Sequence, residues 1–253
     1  MEKNPMIDIL MNRKSVRSFK EEAPSQEVIE TIFRAGQQAP FAMQLCSAIL
    51  ERGEGIPWGA PLNFIICADA HRMRLIAKKR GRRLLMNDLT MLLFALQDAA
   101  YMAQNMVIAG EALGLGSCYI GSAPMIAGKI VEQYKLPPKV FPMVMLVMGY
   151  PAENKPVRPR YPLSFSLFEN EYPSFTDEQV TEAMRVMDEG YLAQDYYKEG
   201  RLMIKMEEGK EETSTFDDYS WTEHISRKFQ WFPLQSEILE SLKACGFKLG
   251  SDL

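Results

Sequence analysis

The chain has 253 residues, enough for one large domain or two small ones with a real buried core. Hydrophobic residues make up 47% and charged residues 25%, an ordinary globular balance, and the formal net charge of −4 argues against a general nucleic-acid binder. The N-terminal MEKNPMIDIL lacks a signal-peptide core and no apolar run nears the roughly 18–20 residues that span a bilayer, so a cytoplasmic protein is expected, with neither nucleic acid nor membrane as partner.

Along the chain, residues 5–12 can form a short helix. A second helix is predicted over 25–38, with Ser25 as N-cap and Val28, Ile29, Ile32, Phe33 and Ala35 as an apolar stripe at helical spacing. Residues 48–51 and 62–68 read as strands, the second being "LNFIICA", typical of a strand buried on both faces. Residues 84–115 are the most apolar region, interrupted by Asn87, Asp88, Gln97, Asp98, Gln104, Asn105 and Glu111. They predict a long helix or helix pair that is buried on most sides and stops at the glycines of "GLGLGSCYIG". "VFPMVMLVMGY", residues 140–150, is another buried strand. This order predicts a core of mixed α and β, an α+β fold.

After "ENKPVRPRYPL" the character changes. Residues 176–198 form an expected helix capped by Thr176 with Asp177 and Glu178 in its first turn, and residues 233–245 another, closed by Gly246. The polar "EEGKEETSTFDDYS" between them is expected to be mobile. The division predicted is a core over 1–163 and a helical C-terminal extension over 164–253, packing on the core or on a partner subunit.

The four cysteines, Cys46, Cys67, Cys118 and Cys245, form no C-x-x-C pair, and with His71 and His224 as the sole histidines a zinc or iron–sulfur site has little to work with. No metal is expected. Buried free thiols fit better, Cys46 included.

Four stretches carry chemistry. "NRKSVRSF", residues 12–19, holds three cations and two hydroxyls. If it is extended, Arg13, Ser15 and Arg17 point the same way, two guanidinium forks flanking a hydroxyl and suited to a phosphate. Equally, Arg13 and Lys14 can simply close the preceding helix, where cations favour its dipole. "QAPFAMQLCSA" is a loop of small and amide residues that can press against a flat ligand, or a mere connection. "EALGLGSCYIG" is no dinucleotide fingerprint, since no strand leads into it and no helix clearly follows. It offers close backbone approach to a ligand, or a Schellman-type helix stop. "PVRPRYPL" sets Arg158 and Arg160 two apart in a Pro-rigid stretch.

In this order the motifs resemble the FMN-dependent nitroreductase family: an Arg-x-Ser-x-Arg start, an Ala-Pro loop, a long apolar helix bearing "QDAAYMAQN", then "ALGLGSCYIG", "MGYP" and a late Arg before "YPL". The likeness covers about residues 7–163, and the longer tail resembles a subset of the family. The resemblance implies a mixed sheet flanked by helices, with FMN held non-covalently at the interface of an intertwined homodimer and NADH or NADPH as electron donor. On that pattern Arg13 and Ser15, with Lys14 beside them, hold the phosphate, and Arg160 joins them. Arg17 sits near the N1/C2=O edge of the flavin, where a fixed cation steadies the charge that reduction leaves. Backbone at Ile120, Gly121 and Ser122 donates to N5 and O4, while Pro40, Phe41, Ala42 and Gln44 close over the ring from the other subunit. Phe41 and Gln44 depart from the usual Ser and Asn of that loop.

The implied activity is ping-pong reduction of nitroaromatic or quinone-like acceptors by NAD(P)H, with no side-chain base, as flavin N5 carries the chemistry. Two other readings stay open: a flavoenzyme of the same fold doing reductive dehalogenation or flavin fragmentation, or a non-catalytic flavin-holding dimer. The apolar and small residues Leu92, Leu93, Leu96, Ala99, Ala100, Ala103, Val107 and Gly110 suggest a helix shared between subunits, and Trp221, Phe229, Trp231 and Phe232 are expected to pack on the partner.

Overall fold

The computed structural model describes residues 4–206, 209–230 and 235–249. Contacts divide the chain into two compact units, residues 1–155 with 233–253, and residues 156–232. The first holds α1 (Pro5–Asn12), α2 (Gln26–Gln37), β1 (Cys46–Arg52), β2 (Leu62–Asp69), α3 (His71–Lys79), α4 (Asp88–Ala112), β3 (Gly116–Ile120), α5 (Ala127–Tyr134) and β4 (Val140–Gly149). The second holds α6 (Asp177–Leu192), α7 (Tyr196–Gly200) and α8 (Trp221–Gln230), after which α9 (Gln235–Ala244) belongs again to the first.

The strands form one antiparallel sheet in the order β1-β2-β4-β3. Every residue of β2 is buried, and its alternation sorts the core by face. Phe64 and Ile66 pack with Ile29 and Ile32 of α2, Met102, Met106 and Val107 of α4, and Leu146 and Met148 of β4. Ile65 and Cys67 point the other way, against Ala123, Ile130 and Val140.

The polar interruptions of α4 each have a structural job. Asn87 caps the helix by accepting from Thr90 N at 2.8 Å, and Asn105 Nδ2 donates to Ala35 O of α2 at 3.2 Å. Ala99, Ala103 and Gly110 are buried within the chain's own core, so the small-residue stripe serves close packing with α2 and the sheet. Leu89, Leu93 and Tyr101 remain exposed on the opposite side.

The expected order lacked three elements. α3 hides because cations crowd its helical period; β3 is only five residues long and follows a glycine stop; α5 has just eight residues. A strand therefore does emerge from "GLGLGSCYIG", and α5 follows it.

In the second unit, Thr176 and Gln179 form the reciprocal capping box of α6. Aromatic rings pack on one another in it: Phe165, Phe168, Tyr172 and Phe175 form one group, and Tyr191, Tyr197, Tyr219 and Trp221 another, with Tyr197 and Tyr219 buried. Part of the stretch expected to be mobile is held: buried Arg227 binds Glu212 through both terminal nitrogens and Glu223 through Nε. Trp231 and Phe232 lie outside the described residues.

Asp88 ties the first unit's ends together. Its Oδ1 accepts from Arg74 Nη2 of α3 at 2.8 Å, and its Oδ2 from Lys139 Nζ and from Lys248 N beyond α9, the latter at 2.8 Å. Burial pushes its carboxyl up, but the Lys139 and Lys248 hydrogen bonds and the Lys139 and Arg74 charges outweigh that and hold it below the usual aspartate value. A depressed carboxylate stabilises the fold above its unfolded pKa, and that contribution fades as pH falls through the folded one. Asp88→Asn should therefore cost about 2 kcal/mol at pH 7, a melting-temperature loss of roughly 4–8 °C. In thermal melts across a pH series the gap between variant and parent should narrow below about pH 4.

Candidate functional site

The basic cluster at the start of the chain is extended, and it flanks the sheet. Arg13 is the C-cap of α1 with a non-helical ψ of 132°. From there Ser15 bridges Ser117 of β3 in parallel, Val16 N donates to Ser117 O at 2.9 Å, and Phe19 bridges Pro151. Val16 is buried while Arg13, Ser15 and Arg17 remain accessible, so period-two alternation sets the three anion-ready side chains apart from the buried one. Lys14, on the other parity, donates to Asn154 Oδ1 at 2.6 Å.

Two glycines make this docking geometry. Gly114 (φ 80°) is the left-handed residue of a Schellman stop: Leu115 N bonds Gly110 O at 2.9 Å and Gly114 N bonds Glu111 O at 3.1 Å. Two residues later, a Cβ on Gly116 would stand 2.5 Å from Val16 Cγ2 and 2.9 Å from Val16 Cβ. The missing side chain is what lets residues 13–17 lie against β3. Both readings of that motif therefore apply to different glycines.

Around this strip the electrostatics favour an anion. Among the described residues the Arg13 guanidinium has no hydrogen bond or ion pair. Glu111 of α4 is pushed up by burial against the pull of Arg13 and Lys14, its Oε1 is buried without a hydrogen-bond partner among the described residues, and Glu153 Oε1 accepts from Arg17 N. Arg17 lies 5.6 Å from the centre of the Trp58 ring, and Trp58 is held in the left-handed region at φ 59°. The Cys118 thiol sits beside Ser15 and Arg17; burial raises its pKa while those neighbours and Arg13 pull it down. On the same edge β3 ends at Ile120, and Gly121 and Ser122 are exposed. A Cβ on Gly121 would meet nothing within 4 Å, so the backbone there faces open space.

The Ala-Pro loop lies elsewhere. It leads into β1, the opposite edge of the sheet, three strand spacings or roughly 14 Å from β3. Pro40, Phe41, Ala42 and Gln44 are exposed, and a buried carboxylate holds them from below: Asp98 of α4 accepts from Ala42 N at 2.7 Å, Met43 N at 3.2 Å and Leu45 N at 2.8 Å. Gln44 takes φ 52°, and Arg72 donates to Gln44 O and Cys46 O while paired to Asp69. A cleft of about 160 Å³ opens here, lined among others by Phe33, Phe41, Gln44, Cys46 and Asp98. Burial, with the Asp98 and Asp69 charges outweighing Arg72, pushes the Cys46 thiol up to about 11, which leaves it protonated and unreactive near neutral pH.

Within the second unit, Arg158 stacks 4.2 Å over Tyr196 and donates to Gln194 Oε1, whereas Arg160 is exposed and donates to the carbonyls of Arg158 and Pro159. His224 is half-buried rather than on an open surface: it stacks on Tyr197 at 4.7 Å, contacts Tyr219 Oη at 3.2 Å, and is pushed down by burial and Lys228. Among the described residues no three His, Cys, Asp or Glu side chains gather as a metal site, and no helix is long and apolar enough to cross a membrane.

A family-wide sequence model described as the Nitroreductase family matches residues 10–50 and 48–150, more than half of the chain. The chain belongs to the nitroreductase family. An FMN reductase (NADPH) of Bacillus subtilis is 30% identical over 213 residues, 78% of this chain and 84% of that protein. A Cr(VI) reductase of a Pseudomonas species is 31% identical over 199 residues, 73% and 82% of the two chains. Among solved structures, NfrA2 of Bacillus megaterium aligns with a TM-score of 0.84 at 25% identity, covering 98% of this chain and all of that one. The nitroreductase motifs thus lie on two structural edges: the strip Arg13–Ser15–Arg17 with Ile120–Ser122 on one, Pro40–Gln44 on the other. Sequence reasoning missed Asp98 as the loop's anchor and Trp58 as the neighbour of Arg17. The polar interruption of an apolar helix was the one available signal for Asp98.

Two substitutions test this construction. Asp98→Ala strands three loop N–H groups and should cost about 3 kcal/mol, seen as a melting-temperature drop of roughly 6–12 °C. Gly116→Ala forces Val16 outward and should cost about 1–3 kcal/mol in chemical denaturation, whereas Gly121→Ala, which has room, should stay within about 0.5 kcal/mol.

Proposed function

We propose that this protein is an FMN-dependent NAD(P)H oxidoreductase that reduces nitroaromatic or quinone-like acceptors in a ping-pong cycle and works as a homodimer. The observation that carries the reading is the strip Arg13–Ser15–Arg17 laid along β3 beside the open backbone of Ile120–Ser122. Membership of the nitroreductase family and the printed activity of the Bacillus subtilis relative support it. Bound FMN supplies the redox chemistry, two-electron transfer from a nicotinamide to an electron-poor acceptor.

The chain's own groups do the holding. Arg13 offers an unpaired guanidinium fork and Ser15 a hydroxyl to a phosphate dianion, a charge-assisted set of the kind that binds phosphate bidentately. Lys14, tethered to Asn154, adds charge from behind, and Arg160 is assigned to the same phosphate on the family pattern. Arg17, with Trp58 at its face, is the fixed cation for the edge of the ring that gains charge on reduction. Backbone N–H groups at Ile120, Gly121 and Ser122 can approach a flat ligand because no side chain fills that space.

Sheet order supports the homodimer reading. Pro40, Phe41, Ala42 and Gln44 lead into the edge strand β1, opposite the edge that carries the strip, and the loop of a second copy would cover a ring held at the strip. Exposed Met6, Ile7, Leu10 and Met11 of α1 and Leu89, Leu93 and Tyr101 of α4 offer apolar surface for that association. Trp221, expected at a partner contact, packs on Tyr161 and Tyr191 of its own chain, whereas exposed Phe229 is assigned to a partner contact.

The purified protein should be yellow. Under anaerobic conditions NADPH or NADH should bleach the flavin band, and a nitroaromatic or quinone should restore it; bound flavin that neither donor reduces would overturn the assignment. Arg13→Ala combined with Arg160→Ala should weaken FMN retention by at least about 100-fold and lower the melting temperature. Full flavin content in that double variant would contradict the placement of the phosphate.

A further inference from the structure

The end of α3 carries a charge cluster that the flavin site does not use. The run "KKRGRR" puts Lys78, Lys79, Arg80, Arg82 and Arg83 into six positions of a chain whose net charge is −4. All five are exposed, and among the described residues none makes a hydrogen bond or ion pair through its side chain. Several other arginines are ion-paired: Arg34 with Glu30, Arg72 with Asp69, Arg74 with Asp88, Arg185 with Glu182 and Glu189, Arg227 with Glu212 and Glu223.

Helix capping accounts for only part of the run. Lys78 and Lys79 lie in the last turn, where cations favour the dipole, but the helix stops at Gly81 (φ 65°), with Arg80 N bonded to Ile76 O and Arg82 N to Ala77 O. Arg82 and Arg83 lie beyond the reach of that effect and repel their neighbours. Unpaired like charges held together in this way are a built surface for an anion.

Apolar side chains stand among them. Arg72, Leu75, Ile76 and Lys79 recur at helical spacing on the outward face of α3, where Leu75 and Ile76 are each 54% exposed, and Leu85 just past the run is 86% exposed. A site for nucleic acid needs the cations alone. Cations interleaved with exposed Leu and Ile fit a surface that is anionic at its headgroups and apolar just beneath.

We propose that the end of α3 with residues 80–85 is a reversible docking surface for anionic phospholipid, with the five cations at the headgroups and Leu75, Ile76 and Leu85 dipping between them. The expectation of no membrane partner rested on the lack of a bilayer-spanning apolar run, and the absence of a spanning helix among the described residues does not bear on such docking. A patch acts on a facing surface over about 8 Å at physiological salt, so distant acids do not cancel it. This inference is independent of the flavin assignment.

Co-sedimentation of the full-length protein with phosphatidylglycerol–phosphatidylcholine vesicles tests it, with pure phosphatidylcholine vesicles and a short single-stranded RNA as rivals. The parent should bind the anionic vesicles, weaken as salt rises, and leave the neutral ones. Arg80→Gln, Arg82→Gln and Arg83→Gln together should cut the partition roughly 100-fold, at about five-fold per cation, with an unchanged or higher melting temperature. Leu75→Ser with Leu85→Ser should cut it about ten-fold while leaving any RNA binding unchanged. Three results would each overturn the proposal: no binding to the anionic vesicles, equal binding to neutral ones, or vesicle binding indifferent to the leucines with tighter binding to RNA.

Discussion

One buried carboxylate organises a whole edge of this fold. Asp98 sits in the middle of α4, surrounded by apolar residues, and its two oxygens take the N–H groups of Ala42, Met43 and Leu45. Pro40, Phe41, Ala42 and Gln44 are exposed and only Met43 and Leu45 reach the core, so backbone hydrogen bonds to something rigid fix the loop's shape. A long helix pressed against a fully buried strand is as rigid a base as the fold offers. The same helix anchors Asn87 at its start, Asn105 against α2, and the Schellman turn at its end. Its polar interruptions are the points where neighbouring segments are attached.

Sheet order then divides the labour. β3 is one edge, and residues 13–19 lie along it; β1 is the other, and the Asp98-anchored loop runs into it. Antiparallel pairing of β2 with β4 fills the middle with Phe64, Ile66, Leu146 and Met148, so no ligand can bridge the edges through the core. The division is a matter of topology, and it does not depend on the identity of any one side chain.

Much of this was legible in the amino-acid sequence because local signals and tertiary structure agree. Ser25 and Thr176 cap helices as their side chains predict, and the continuous apolar run of β2 marks a strand buried on both faces. The alternation of Arg13, Ser15 and Arg17 depended only on the strand period, which the bridge from Ser15 to Ser117 imposes. Other features were hidden for physical reasons. The helical face of α3 is written largely in cations, so hydrophobic periodicity could not find it, and Ala70 at its N-cap offers no side-chain hydrogen bond. β3 is a short strand defined by its partners Met145 to Gly149 rather than by its own composition. Asp98 acts on residues more than fifty positions away, and Trp58 meets Arg17 only after the chain has folded. Distance in sequence, not weak chemistry, concealed them.

Cys46 carries a consequence for chemical resilience. Quinones are electrophiles as well as oxidants, and a thiolate lining the cleft would capture them in an irreversible arylation. With the thiol pushed to about 11 by its burial and by Asp98, the fraction ionised at neutral pH is on the order of one in ten thousand. The carboxylate that shapes the loop thereby adds to burial in holding Cys46 as the less nucleophilic thiol.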